Sequence, residues 1–116
     1  MKSSKKPSKH RMESDIQHLL TTLLQRDIND PCLLGTVITS VDVSRDNQSA
    51  VIKVHGMKRE EADLVTERLM RLASHFEYEL RRAMQRKRIP HLKFSWDSNL
   101  DQGNDMVELL NKLHRV

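Results

Sequence analysis

Residues 81–96 read RRAMQRKRIPHLKFSW, and the change of pattern inside this stretch indicates the fold. A proline disfavours helix at the residue before it, so Pro90 should end the helical first half near Arg88. Beyond the proline, large apolar residues alternate with polar ones, which predicts a strand with one buried face. The residues expected on that face are Leu92, Phe94 and Trp96.

The same stretch contains cations and no acid, which makes it a candidate contact for a nucleic acid. A second group of cations lies near the N-terminus, where it could add phosphate contacts or serve only solubility. The candidate RNA-binding residues are Arg81, Arg82, Arg86, Lys87, Arg88 and Lys93, together with Lys5, Lys6, Lys9 and Arg11.

Part of this charge has a simpler structural explanation. Glu77 and Glu79 precede Arg81 and Arg82 at helical spacing, so exposed ion pairs within the helix could account for both arginines. Cations in the last turn also favour the helix dipole, and Lys87 should face the apolar side unless the helix has already ended. The strongest contact candidates are therefore Arg86, Arg88 and Lys93.

The composition predicts one small domain. The chain has 116 residues with 31% charged and 3% aromatic side chains, so a single, mostly aliphatic core is expected. The net charge is +4, but the two basic segments leave the remainder of the chain net acidic. Such a distribution suits a protein that presents a cationic face to a polyanion.

Several classes of protein are disfavoured. Cys32 is the only cysteine, which excludes an internal disulfide and fits a reducing compartment. No apolar run approaches the roughly 18 residues that span a bilayer, and the basic N-terminus lacks the apolar core of a secretory signal. We expect a cytoplasmic protein with no membrane partner, and consider an organelle transit peptide the lesser alternative.

The first half of the chain predicts a helix followed by a hairpin. Apolar residues recur at helical spacing from Met12 to a stop near Arg26. Two alternating segments follow, joined by turn residues 44–47. The expected inward faces are Val37, Thr39, Val41 and Val43 on the first strand, and Ala50, Ile52 and Val54 on the second.

The second half predicts a long helical stripe, the third strand and a final helix. The stripe from Ala62 to Ala83 indicates one helix, or two joined by a kink that preserves the phase. A short helix is expected from Asn104 to Val116, with Asn104 or Asp105 as its cap. The order α-β-β-α-α-β-α is that of an α+β fold, with helices packed on a three-stranded sheet.

Several short patterns are weak alone, but their joint order and spacing are specific. They are RM at residues 11–12, DP at 30–31, VDVSRD at 41–46 with Ala50, and PHLKF at 90–94 followed by Asp97 and Gly103. Taken together, these patterns resemble the ribosome-binding factor A family over roughly residues 11–107.

This resemblance implies a KH-like fold of the bacterial type at residues 11–97. A flexible basic tail at 1–10 would precede it, and a loop and C-terminal helix at 98–116 would follow. It implies a non-enzymatic, monomeric factor that binds 16S rRNA of the free small (30S) subunit and promotes its late maturation and rRNA processing. The family commonly has an Ala-x-Gly kink, whereas this chain has Ala73, Ser74 and His75, and His91 replaces the acid usual after the proline.

Other binding chemistries find little support. The chain lacks the GxxG loop by which KH domains clamp nucleotides. Oxygen-bearing side chains at residues 97, 99, 101, 105 and 108 mimic part of a calcium loop, but Gln102 replaces its glycine and the incoming element is a strand. The histidines and Cys32 have no ligand or catalytic spacing. We therefore expect no metal, cofactor or small-molecule substrate.

Two other functional classes stay open. A protein-interaction adaptor could use the basic patch to meet an acidic partner. A nuclease is less favoured, because no paired carboxylates lie beside a base on a predicted cleft.

Overall fold

A computed structural model describes residues 7–101, with side chains from residue 9 onward. Three main helices and three strands follow one another in the order α-β-β-α-α-β, with two short 3-10 turns at Pro31–Leu33 and Arg59–Glu61. The elements are α1 (Pro7–Arg26), β1 (Val37–Val43), β2 (Ser49–His55), α2 (Ala62–Arg71), α3 (Ala73–Met84) and β3 (His91–Trp96).

The three strands form one mixed sheet in the order β1-β2-β3. β1 and β2 make the predicted antiparallel hairpin, and β3 runs parallel to β2. The helices pack against one face of the sheet, which carries the fully buried Ala50, Ile52 and Val54 of β2. The predicted α+β class and the inward faces of β2 and β3 are therefore confirmed.

The core lies between the sheet and the helices α1, α2 and α3. Ile16, Leu20 and Leu23 of the predicted α1 stripe are buried, and Leu19 and Leu24 pack against them half-buried. Leu69, Phe76 and Leu80 of α2 and α3 are fully buried in the same core, and Val65 and Ala73 are nearly so. Aliphatic side chains dominate this core, as the composition predicts.

The predicted inward face of β1 was wrong at its first half. Val37 is exposed and Ile38 is buried, because the pairing with β2 skips Thr39 between Ile38 and Ser40. This bulge reverses the alternation once, so that Val41 and Val43 still point inward. The Thr39 hydroxyl donates to Asp97 Oδ2 at 2.7 Å, which fixes the bulge to the end of β3.

α2 and α3 are separate helices that preserve the apolar phase, one of the two forms expected. Leu72 interrupts them with φ −94° and ψ 0°. The bend therefore precedes residues 73–75, where the family resemblance put it, and those residues form the first turn of α3 instead. Because Ala73 is small and buried, it lets the start of α3 stay close to the sheet.

α3 ends at Met84, earlier than the predicted Arg88. Gln85 adopts a left-handed conformation with φ 54° and ψ 44°, and its N–H donates to Arg82 O. The N–H of Arg86 donates to Arg81 O at 3.1 Å, which completes a Schellman-type helix end. Arg86, Lys87 and Arg88 are consequently in a loop and not in the last helical turn.

The ends of the described chain also differ from expectation. α1 begins at Pro7, so residues 7–10, expected in the flexible tail, are helical. Residues 98–101 are helical where we expected a loop, and the Asp97 side chain accepts the N–H of Asn99 at this helix start. The final helix expected from Asn104 lies outside the described residues. No helix within residues 7–101 is long and apolar enough to cross a membrane.

Candidate nucleic-acid interface

The loop at residues 85–90 presents three cations to solvent. Arg86, Lys87 and Arg88 are all exposed, including Lys87, which would have faced inward had the helix continued. Ile89 packs against the core and Pro90 is buried, so the loop is anchored where it enters β3. Because α3 ends early, these three cations lie in a short loop that Ile89 and Pro90 anchor, and their side chains are exposed to solvent.

A groove between α1 and the end of α3 brings the two predicted basic segments together. Arg11 of α1 and Arg86 of the loop both line it, although they lie near opposite ends of the described chain. The groove encloses about 690 Å³ and has Met12, Leu19, Ala83 and Met84 among its lining residues, with Asp15 and His18 at its polar side.

The β1–β2 turn lies at the same end of the molecule. The N–H of His91, the first residue of β3, donates to Gln48 O of the turn at 2.9 Å. Asp46 in this turn has a lowered pKa because it accepts hydrogen bonds from Ser44 and from the Gln48 N–H, with a smaller contribution from Lys9. Lys9 of α1 is therefore near the turn, and the exposed Arg45 extends the cationic surface there.

Arg81 and Arg82 differ from the loop cations. Arg82 lies 3.7 Å from Glu79, as predicted, and its guanidinium is 5.7 Å from the centre of the Tyr78 ring. The alternative pair of Glu77 with Arg81 is not formed, since Glu77 instead accepts the N–H of Leu92 at 3.0 Å. Arg81 is half-buried and therefore less available than the loop cations, whereas Arg82 is exposed and contacts Glu79 and Tyr78.

Lys93 stands on the exposed face of β3, as predicted, soon after the loop. His91, the departure from the family pattern, is exposed and lies 3.6 Å from Glu77. Lys5 and Lys6 lie outside the described residues. The structure therefore places Lys9, Arg11, Arg86, Lys87 and Arg88 at one end of the helical side and Arg81 and Arg82 in the last turn of α3. Lys93 lies on the opposite face of the sheet.

Three surface residues were missed from the sequence. Arg45 is part of the turn pattern and Lys53 is a polar position of β2, so neither belongs to a visible charge run. Tyr78 is 52% exposed and is an aromatic available to solvent, whereas Phe94 is buried and Trp96 half-buried. Its position two residues from Phe76 and Leu80 places it off the buried stripe, and that spacing could have identified it.

The aspartates at the start of the rejected calcium loop have structural partners. Asp97 accepts the Thr39 hydroxyl, and Asp101 accepts Trp96 Nε1 at 2.9 Å and contacts His55 Nε2 at 2.7 Å. The His55 contact and then the indole N–H hold the pKa of Asp101 below its ordinary value. Within residues 7–101, no three His, Cys, Asp or Glu side chains are grouped to hold a metal ion.

The sequence model for ribosome-binding factor A matches residues 8–110. The chain belongs to the ribosome-binding factor A family.

Relatives in this family cover most of the chain at modest identity. Ribosome-binding factor A of Pseudomonas putida KT2440 is 32% identical over 105 residues, which is 88% of this chain and 80% of that protein. The protein of the same name from Francisella tularensis subsp. novicida is 28% identical over 102 residues, covering 88% and 71% respectively.

Solved structures of ribosome-binding factor A have the same fold. The crystal structure from Thermus thermophilus matches with a TM-score of 0.66 at 23% identity, covering 74% of this chain and 92% of that one. The solution structure of a Thermotoga maritima protein proposed to be a ribosome-binding factor A has a TM-score of 0.66 at 25% identity, covering 79% and 90%. The KH-like α+β fold that the resemblance implies is therefore confirmed.

Proposed function

We propose that this protein binds 16S rRNA in the free small (30S) ribosomal subunit, and promotes late maturation of that subunit and processing of its rRNA, without catalysis of its own. Its membership of the ribosome-binding factor A family supports a role on the ribosome. In addition, a Thermus thermophilus ribosome-binding factor A, 24% identical to this chain with a TM-score of 0.63, has been fitted into a cryo-EM map of its complex with the 30S subunit.

The observation that supports RNA binding most directly is the convergence of cations around the groove. Arg11 and Arg86 line the groove, and Lys87 and Arg88 are exposed in the same loop as Arg86. They come from a helix and a loop, so they form a surface and not a single helical stripe. A surface of this kind suits several phosphates of a folded RNA better than one acidic side chain.

Recognition would rest on phosphates and shape more than on base stacking. The chain has no GxxG loop, and Tyr78, the exposed aromatic, lies along α3 beneath Arg82. Phosphate contacts release counterions, so affinity should fall steeply with salt. If about six phosphates are engaged, the loss between 50 and 200 mM salt is on the order of 10³-fold or more.

The test is co-sedimentation of the purified protein with free small subunits at increasing salt. The Arg86→Glu/Arg88→Glu variant should bind at least about tenfold more weakly and show a shallower salt dependence. Lys58→Glu/Arg71→Glu makes the same change of charge at exposed sites away from the groove, and is the matched control. It should bind as the unmodified protein does.

Two results would contradict the proposal. Equal binding by the loop variant and the unmodified protein would exclude the basic loop as the contact. Binding to an acidic protein partner, with no association with small subunits in low salt, would favour the adaptor alternative instead.

A further inference from the structure

The sheet has a second face, opposite α1, α2 and α3, on which the only described helical contact is that of Asp101 with His55 at one end of β2. Side chains alternate across a strand, so the residues between the buried positions of β2 and β3 point to this open face. Their pairing gives two adjacent cross-strand rows. One row is Ser40, Lys53 and Ser95, and the next is Asp42, Val51 and Lys93.

Lys53 occupies the centre of this open face. It lies on the middle strand with a serine on either side, and it is half-buried although it faces outward. Lysine is depleted in strands, and small neighbours leave its ammonium as the most prominent polar group of the row. Lys93 is diagonal to Lys53 on the neighbouring, parallel strand β3.

The charge of the two lysines is not neutralised by ion pairs. Within the described part of the chain, neither Lys53 nor Lys93 has a carboxylate within 4.0 Å. Asp42 is the one acid of the two rows, and Val51 separates it from Lys93. It lies diagonal to Lys53, where it reduces the positive potential without cancelling it.

The open face also continues directly from the basic loop. Arg86, Lys87 and Arg88 lead through residues 89 and 90 into β3, and Lys93 is the second exposed residue of that strand. The cations of the loop are therefore followed on the sheet by Lys93 and then by Lys53. This continuity favours one extended cationic surface over unrelated solvated lysines.

We propose that the open face of the sheet, centred on Lys53 and Lys93, is a second binding surface for the RNA phosphate backbone. This inference rests on the proposed function and extends its contact surface beyond the groove. The two ammonium groups would bind neighbouring phosphates, and the hydroxyls of Ser40 and Ser95 would donate to phosphate oxygens. The two rows lack exposed large apolar side chains, so they suit a polyanion better than an apolar protein surface.

The test measures how affinity for free small subunits depends on salt in Lys53→Gln and Lys93→Gln. Each lost phosphate contact should reduce the slope of log K against log salt by about 0.7–0.9, and the double variant by about twice that amount. Lys53→Arg should restore the slope, because it keeps the charge. Lys58→Gln removes one exposed lysine elsewhere and should leave the slope unchanged.

Folding and function can be separated in the same experiment. Thermal unfolding of each variant should match the unmodified protein, because both lysines lack ion pairs in the described structure. If the Lys53→Gln variant does not fold, the salt slope of Lys93→Gln, on the edge strand, tests by itself whether the open face contacts phosphates. Unchanged slopes in folded glutamine variants, with weakened binding by Arg86→Glu/Arg88→Glu, would overturn this inference and leave the proposed function intact. Failure of the unmodified protein to bind would overturn both.

Discussion

Glu13 of α1 and Glu77 of α3 act in the same way at the two outer edges of the sheet. Glu13 accepts the N–H of Val43 on β1 at 2.8 Å, and Glu77 accepts the N–H of Leu92 on β3 at 3.0 Å. Each carboxylate accepts a backbone N–H that would otherwise be unpaired at the edge of the sheet. Unpaired backbone groups on edge strands can pair with other chains, so these two side chains protect the edges at Val43 and Leu92.

Replacing Glu13 by alanine should destabilise the fold by about 1–3 kcal/mol, because it leaves the buried Val43 N–H without its acceptor. Glu13 is only 6% exposed. Asp15→Ala removes the same charge at an exposed position of the same helix and should change stability by less than about 0.5 kcal/mol. Denaturant unfolding of both variants checks this. Equal losses of unfolding free energy in the two variants would show that the Glu13 hydrogen bond does not stabilise the fold.

Gln85→Gly should stabilise the protein by about 1 kcal/mol, because the left-handed conformation costs a residue with a side chain roughly 1–2 kcal/mol and costs glycine little. Gln85 has φ 54°. Gln25→Gly makes the same substitution inside α1 and should destabilise by up to about 1 kcal/mol. Thermal unfolding measures both variants. If Gln85→Gly does not raise the stability of the protein, the backbone strain assigned to Gln85 is contradicted.

The pair of Asp30 and Arg68 should make stability depend on acid pH. Arg68 donates to both carboxylate oxygens at 2.9 and 3.1 Å. The Arg68 hydrogen bonds, and then the N–H of Cys32, hold the pKa of Asp30 below its ordinary value of 3.8. A lowered folded-state pKa stabilises the fold above this ordinary value, and the contribution disappears as pH falls through the lowered value.

A double-mutant cycle of Asp30→Asn and Arg68→Gln isolates this interaction. Urea unfolding at neutral pH should give a favourable coupling, and the same cycle at a pH well below the lowered pKa should give almost none. Asp30→Asn keeps an acceptor for the Cys32 N–H, so the cap of the 3-10 turn is retained in all variants. A coupling that persists unchanged in acid would contradict the assigned cause.

The secondary structure was largely predictable because burial is periodic. The α1 stripe and the inward residues of β2 and β3 repeat at helical or strand spacing, and the structure buries them as expected. Single-residue irregularities were not predictable. The bulge at Thr39 adds one residue to an otherwise regular strand, and Gln85 ends α3 in a conformation for which glycine is the usual sequence marker.

The exposed cations of the candidate site were predictable as charge runs, but their arrangement was not. Charge runs identified both basic segments, whereas the groove that joins Arg11 to Arg86 depends on how α1 packs beside α3. Glu13 likewise resembles any surface glutamate until its partner Val43, 30 residues away, is known. Lys53 has no charged neighbour in sequence, and only the register with β3 relates it to Lys93.

Lys5→Gln/Lys6→Gln should weaken binding to free small subunits and reduce its salt dependence. In the sequence, Lys5 and Lys6 directly precede Pro7, the first residue of α1, which also carries Lys9 and Arg11. If each contacts a phosphate, the slope of log K against log salt should fall by about 1.4–1.8 in total. Fluorescence titration at several salt concentrations measures it, with Lys58→Gln/Arg71→Gln as the charge-matched control. An unchanged slope, combined with lower solubility of the variant, would assign the basic tail to solubility alone.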